Sequence, residues 1–141
     1  MTPTLSSLRD LAEKLLAEEL ANSNGTNGPA ASHVCAKLGT VISKLAGAAG
    51  YRSLLSRALV LAKDYAPALK SVHVSPDGTL EGLAETKAAT SNEELELGEI
   101  AIVVQLLSLL RTFIGEPLVQ QIVKEAWPAI DPTSSTDSPI Q

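Results

Sequence analysis

Cysteine occurs once in this chain of 141 residues, as Cys35, and histidine twice, as His33 and His73. A single thiol forms no intramolecular disulfide and no thiolate-rich metal cluster, which predicts a reducing, cytoplasmic setting. Neither histidine stands in an ExxH or HExxH spacing, so no metal and no cofactor are expected. Aromatic side chains are as scarce, with one Trp, one Phe and two Tyr, a composition that suits packed helices better than sheets. No serine has a GxSxG context, and Cys35 falls on the apolar face of a predicted helix, where a thiol behaves as a small hydrophobe. No catalytic residue is assigned, and an enzyme is not expected.

Long apolar runs are missing too. Residues 100–110 are the most apolar stretch, shorter than the ~20 residues that span a bilayer and interrupted by Gln105 and Ser108. "MTPTLSSLRDLAEKLL" is amphipathic and mixed in charge, unlike a secretory leader. No membrane association is expected.

What is present is a helical pattern at 45% hydrophobic and 19% charged residues. At this length folding buries roughly 70% of the surface the unfolded chain exposes, enough for one core. Thr2 or Thr4 can cap a first helix carrying Leu5, Leu8, Leu11, Ala12, Leu15, Leu16 and Leu20 on one face. "NSNGTNGP", residues 22–29, reads as a loop. A second helix is predicted over 32–46, a turn at "GAAG", and a third helix that Pro67 ends. "VHVSPDGTLEGL", residues 72–83, reads as two short strands around a turn and as a connector, with His73 facing solvent. Ser91 and Glu94 stand at capping-box spacing ahead of a fourth helix, the most apolar and hence central one. Gly115 closes it, and Pro117 opens a fifth with Leu118, Ile122, Val123, Ala126 and Trp127 inward.

The expected fold is therefore all-α, a bundle of about five helices, two helical hairpins plus an N-terminal helix, with a small β-hairpin at about 72–81. Residues 1–130 form the single domain, and 131–141 have the composition of a disordered C-terminal tail. A shift of 68 positions lays Leu38 on Leu106, Ile42 on Leu110, Leu45 on Phe113, Gly47 on Gly115 and Leu55 on Val123, as two facing hairpins would require.

Charge is segregated along the chain. Residues 30–72 balance at plus five, residues 1–29 at minus two and residues 73–141 at minus eight. Lys44, Arg52, Arg57 and Lys63 in the basic part are candidate contacts for a partner or for nucleic acid. "GAAGYR" could offer glycine N–H groups and Arg52 to an anion, although a helix turn alone accounts for its glycines. Phe113 and Trp127, near helix ends, are candidate interface residues.

Two resemblances accompany these readings. "VISKLAGAAGYRSLLSRALV", residues 41–60, resembles the helix-turn-helix of LacI-type repressors, with a Gly47 to Ser56 spacing two residues longer than that motif has. "GYRSLLSRALVLA", "VHVSPDGTLEGL" and "LLSLLRTFIGEPLVQQIVKEAWP" together resemble small bacterial all-helical proteins of unassigned function, which implies a helical domain and no activity. The functional expectation is a non-enzymatic protein-interaction or oligomerisation module, with a protein partner or a second copy forming a homodimer. The alternatives are a nucleic-acid-binding regulator built on residues 41–60 and a helical bundle that binds a small ligand.

Overall fold

The computed structural model describes residues 5–23, 30–76, 78–83, 85–86 and 91–127. Their order is α1 (Leu5–Ser23), α2 (Ala30–Tyr65), a 3-10 helix (Pro67–Ser71), β1 (His73–Val74), β2 (Leu80–Glu81), α3 (Asn92–Ile114) and α4 (Glu116–Ala126). The domain is mostly helical, as the apolar periodicity requires. The residues proposed to cap the first helix, most of the 22–29 loop and the 131–141 tail lie outside the described residues.

Among the described residues the α-helices number four rather than five, because the predicted second and third helices run on as α2. No loop of several residues separates them. Gly47 is the one residue inside α2 with non-helical dihedrals, φ 82° and ψ 162°. Sixteen residues of straight helix would span about 24 Å, yet the Tyr51 hydroxyl reaches the Cys35 carbonyl at 2.7 Å. The chain must therefore fold back at Gly47, which gives α2 a first arm before that residue and a second arm after it. Gly115, between α3 and α4, has nearly the same dihedrals, φ 90° and ψ 158°. That combination of positive φ and extended ψ is open essentially to glycine alone.

The 68-residue correspondence extends to burial. Leu38 and Leu106 are fully buried, as are Leu55 and Val123, while Ile42 and Leu110 are each 2% exposed. Leu45 and Phe113, each two residues before its glycine, are both exposed, at 57% and 69%. Each half thus makes an apolar helix, a one-residue glycine turn and a returning helix.

α3 lies at the centre, in contact with α1, α2, α4 and the 3-10 helix. Ile102, Val103, Leu106 and Leu107 on it are fully buried. Residues 93–114 are long and apolar enough, by length and composition, to cross a membrane, a longer stretch than residues 100–110 suggested. In this fold 44% of the most apolar window of that stretch is buried, while Leu97 and Phe113 on it are exposed. The Ser91 side chain accepts a hydrogen bond from the Glu94 N–H at 3.2 Å, capping a helix whose first turn carries Glu93 and Glu94.

Trp127 belongs to the core. It is 2% exposed, its Nε1–H donates to Glu19 Oε2 at 2.8 Å, and the Lys37 ammonium lies 5.6 Å from its ring centre. Lys37 Nζ also meets the same Glu19 oxygen at 2.7 Å. The carboxylate of α1, a lysine of α2 and the indole after α4 are joined in one knot. A tryptophan held in this way presents no ring to a partner, so of the two candidate interface residues only Phe113 is exposed.

Candidate functional site

The second arm of α2 places Ala49, Arg52, Ser53, Ser56, Arg57 and Val60 at intervals of three and four residues, which is one helical face. Opposite this face stands the β-hairpin. His73 pairs with Glu81 and Val74 with Leu80, the Gly78 N–H bonds the Ser75 carbonyl at 2.9 Å, and the Ser75 N–H bonds the Thr79 carbonyl at 2.8 Å. Val72, fully buried, and the partly buried Val74 and Leu80 seat the hairpin on the core.

Between helix and hairpin lies a cleft of about 720 Å³, lined by the six helical residues together with Val74, Ser75 and Pro76. Arg52 is anchored there, its Nη1 donating to the Pro76 carbonyl at 2.9 Å. Arg57, Ser53 and Ser56 are exposed and make no hydrogen bond or ion pair among the described residues. Among the described residues the lining holds two guanidinium groups and three hydroxyls, with no carboxylate, imidazole, thiol or amine. Its walls therefore offer donors and positive charge to an anion.

Tyr51 sets the position of this wall. Its ring is wedged against Gly39, where an added Cβ would come within 2.6 Å of the ring. Its hydroxyl is held by the Cys35 carbonyl, and burial raises its pKa well above the ordinary tyrosine value, with the charge of Cys35 adding to the effect. Cys35 is itself fully enclosed, its thiol pushed up to about 12 by burial, with the charge of Glu99 adding to the shift. A thiol in that state is inert at neutral pH.

The hairpin's other side borders a second cleft of about 490 Å³ in which His73, Glu81 and Glu85 meet Ser32 and Ser71. His73 is exposed and its Nε2 lies 3.1 Å from Glu81 Oε1. No group of three or more His, Cys, Asp or Glu able to hold a metal occurs among the described residues. A third depression, of about 270 Å³, runs between α1 and α3 and is mostly apolar, with Tyr65 and Leu97 on its rim. The one cation on it among the described residues, Arg9, is paired with Glu13 at 3.1 Å.

Of the four basic residues singled out from sequence, the fold brings Arg52 and Arg57 into one cleft. Lys44 is exposed and Lys63 half-buried, and neither lines it. Ser53, Ser56, Ser75 and Pro76 were missed. The helical stripe could have been found from its spacing, whereas the hairpin's share depends on a packing that nothing local encodes. No protein-family model, no curated protein and no solved structure matches the chain.

Proposed function

We propose that the protein is a non-enzymatic interaction module that takes an acidic segment of a partner protein into the cleft between α2 and the hairpin. The observation that carries this reading is the lining: Arg52 and Arg57 with Ser53 and Ser56 on one helical face, and among the described residues no carboxylate to neutralise them. Arg52 is held ready by its bond to Pro76, which lowers the ordering cost of binding. Guanidinium groups and hydroxyls without a neighbouring base hold anions and do not move protons, which supports binding over catalysis.

The test is titration of a ten-residue polyglutamate peptide into the full chain, followed by backbone amide shifts. Shifts centred on residues 49–60 and 74–76, lost about 10- to 100-fold in affinity with Arg57→Ala, are the expected result. No shift at millimolar peptide refutes the reading. The nucleic-acid alternative has one observation of its own, since Arg52, Ser53, Ser56 and Arg57 fall in the helix that follows the turn of residues 41–60. A DNA duplex bound more tightly than the peptide, with affinity falling steeply in salt, would move the assignment there.

A further inference from the structure

We infer that the anionic group this cleft is built for is a phosphomonoester on a side chain of the partner segment, an inference that rests on the binding reading above. Charge supplies the first argument. Two guanidinium groups bring two positive charges to the cleft, and a phosphomonoester carries about −1.5 to −2 at neutral pH against the single charge of a carboxylate. One carboxylate satisfies one arginine in a two-pronged pair and leaves the second unmatched.

Donor geometry supplies the second. Arg52 and Arg57 are five residues apart, about 7.5 Å along the helix axis and about 140° around it, so they flank the two edges of the face that lines the cleft, within reach of one group bound between them. Ser53 and Ser56 sit in that interval on the same face, and their hydroxyls bond nothing among the described residues. Three phosphate oxygens can accept from both guanidinium groups and from hydroxyls at once, while a carboxylate has two.

Size supplies the third, and it selects the source. A cleft of about 720 Å³ is far larger than a phosphate group. It extends from Ala49 to Val60, eleven residues or about 16 Å of helix, which matches about five residues of extended peptide. Ala49, Val60, Val74 and Pro76 give apolar surface for the flanking residues of such a segment. A phosphorylated serine or threonine in a partner protein fits all three features.

Three heptapeptides that differ only at the central position, carrying phosphoserine, glutamate or serine, test the inference by calorimetry on the full chain. The phosphoserine peptide should bind at least tenfold more tightly than the glutamate peptide, and the serine peptide should not bind. Its affinity should fall between pH 7.5 and pH 5, since the second phosphate pKa is near 6 and the arginines stay charged. Arg57→Ala should remove the preference for phosphoserine, and Arg57→Lys should recover only part of it, because an ammonium cannot make the two-pronged contact. Arg57 is exposed and makes no pair among the described residues, so neither variant should change the melting temperature.

Equal binding of phosphoserine and glutamate peptides overturns the phosphate inference and leaves the acidic-segment reading standing. Binding of neither overturns both. Inorganic phosphate that binds as tightly as the phosphopeptide shows that flanking residues add nothing, and overturns the peptide source. A DNA duplex of about 20 base pairs that outcompetes the phosphopeptide at equal salt overturns it in favour of a nucleic-acid backbone.

Discussion

Replacing Gly47 by alanine of either hand separates backbone conformation from every other effect at the turn of α2. A Cβ built on Gly47 meets nothing within 4 Å, so no steric contact with a neighbour enters the comparison. L-alanine must adopt φ 82° and ψ 162°, a region that costs a residue with a Cβ about 1–3 kcal/mol. The smaller entropy of its unfolded chain returns about 0.4–1 kcal/mol. The expected net loss is about 0–2.6 kcal/mol. For D-alanine the steric map is inverted, and the same backbone corresponds to an ordinary extended conformation. D-alanine should therefore leave stability unchanged or raise it by about 0.4–1 kcal/mol through the unfolded-state term alone. Both proteins are accessible by joining a synthetic peptide to the expressed remainder of the chain, and urea unfolding followed by circular dichroism gives the comparison. With a slope of about 1–3 kcal/mol per molar urea, the two midpoints should differ by about 1 M. Coincident midpoints would refute the turn at Gly47, and with it the approach of Tyr51 to Cys35 and the placement of Arg52 and Arg57 opposite the hairpin.

Glu19 gives a pH test. Burial works to raise its pKa, but hydrogen bonds from Lys37 and Trp127 and the charges of Lys37 and His33 outweigh that, leaving it below the ordinary 4.5. Its stabilisation is therefore complete above pH 4.5 and is lost as pH falls through the depressed folded value. Glu19→Gln should cost about 1–3 kcal/mol at pH 7 and flatten the acid limb of the stability profile, and a limb that keeps its slope would count against the knot. Gly39→Ala should destabilise by about 1–3 kcal/mol through overpacking against the Tyr51 ring, despite the helix propensity of alanine. Tyr51→Leu in the same chain should recover part of that loss in a thermal melt, and simple additivity of the two changes would refute the wedge.

Much of the fold was legible because it follows from local rules. The Ser91 cap, the end of α2 just before Pro67, the β-turn from Ser75 to Gly78 and the central place of α3 each depend on a few adjacent residues whose chemistry admits few alternatives. The helix count failed for a related reason. "GAAG" contains two glycines and reads as a turn, yet a single residue with positive φ reverses the chain while Ala48, Ala49 and Gly50 stay helical. Trp127 reads from sequence both as an inward residue and as a candidate interface residue, and the bond to Glu19 that seats it in the core lies 108 residues away. The cleft was half legible. Arg52 and Arg57 stand out in a basic segment, but their grouping with Ser75 and Pro76 depends on how Tyr51 packs the second arm beneath the hairpin. "VHVSPDGTLEGL" reads as a connector and serves in the fold as the wall between two clefts of different charge.

The bond between Glu19 and Trp127 also constrains the order in which the molecule can be finished. At synthesis rates of about 5–20 residues per second, Trp127 follows Glu19 out of the ribosome by roughly 5–20 s. Through that interval α1 exists with the carboxylate it must bury and without the indole N–H that satisfies it. Its apolar face, Ala12, Leu15 and Leu16, also waits for α3, which begins at Asn92. α2 meets part of α1 earlier and its Lys37 pairs with Glu19, so α1 can dock in two stages, first on α2 and then on α3 and Trp127.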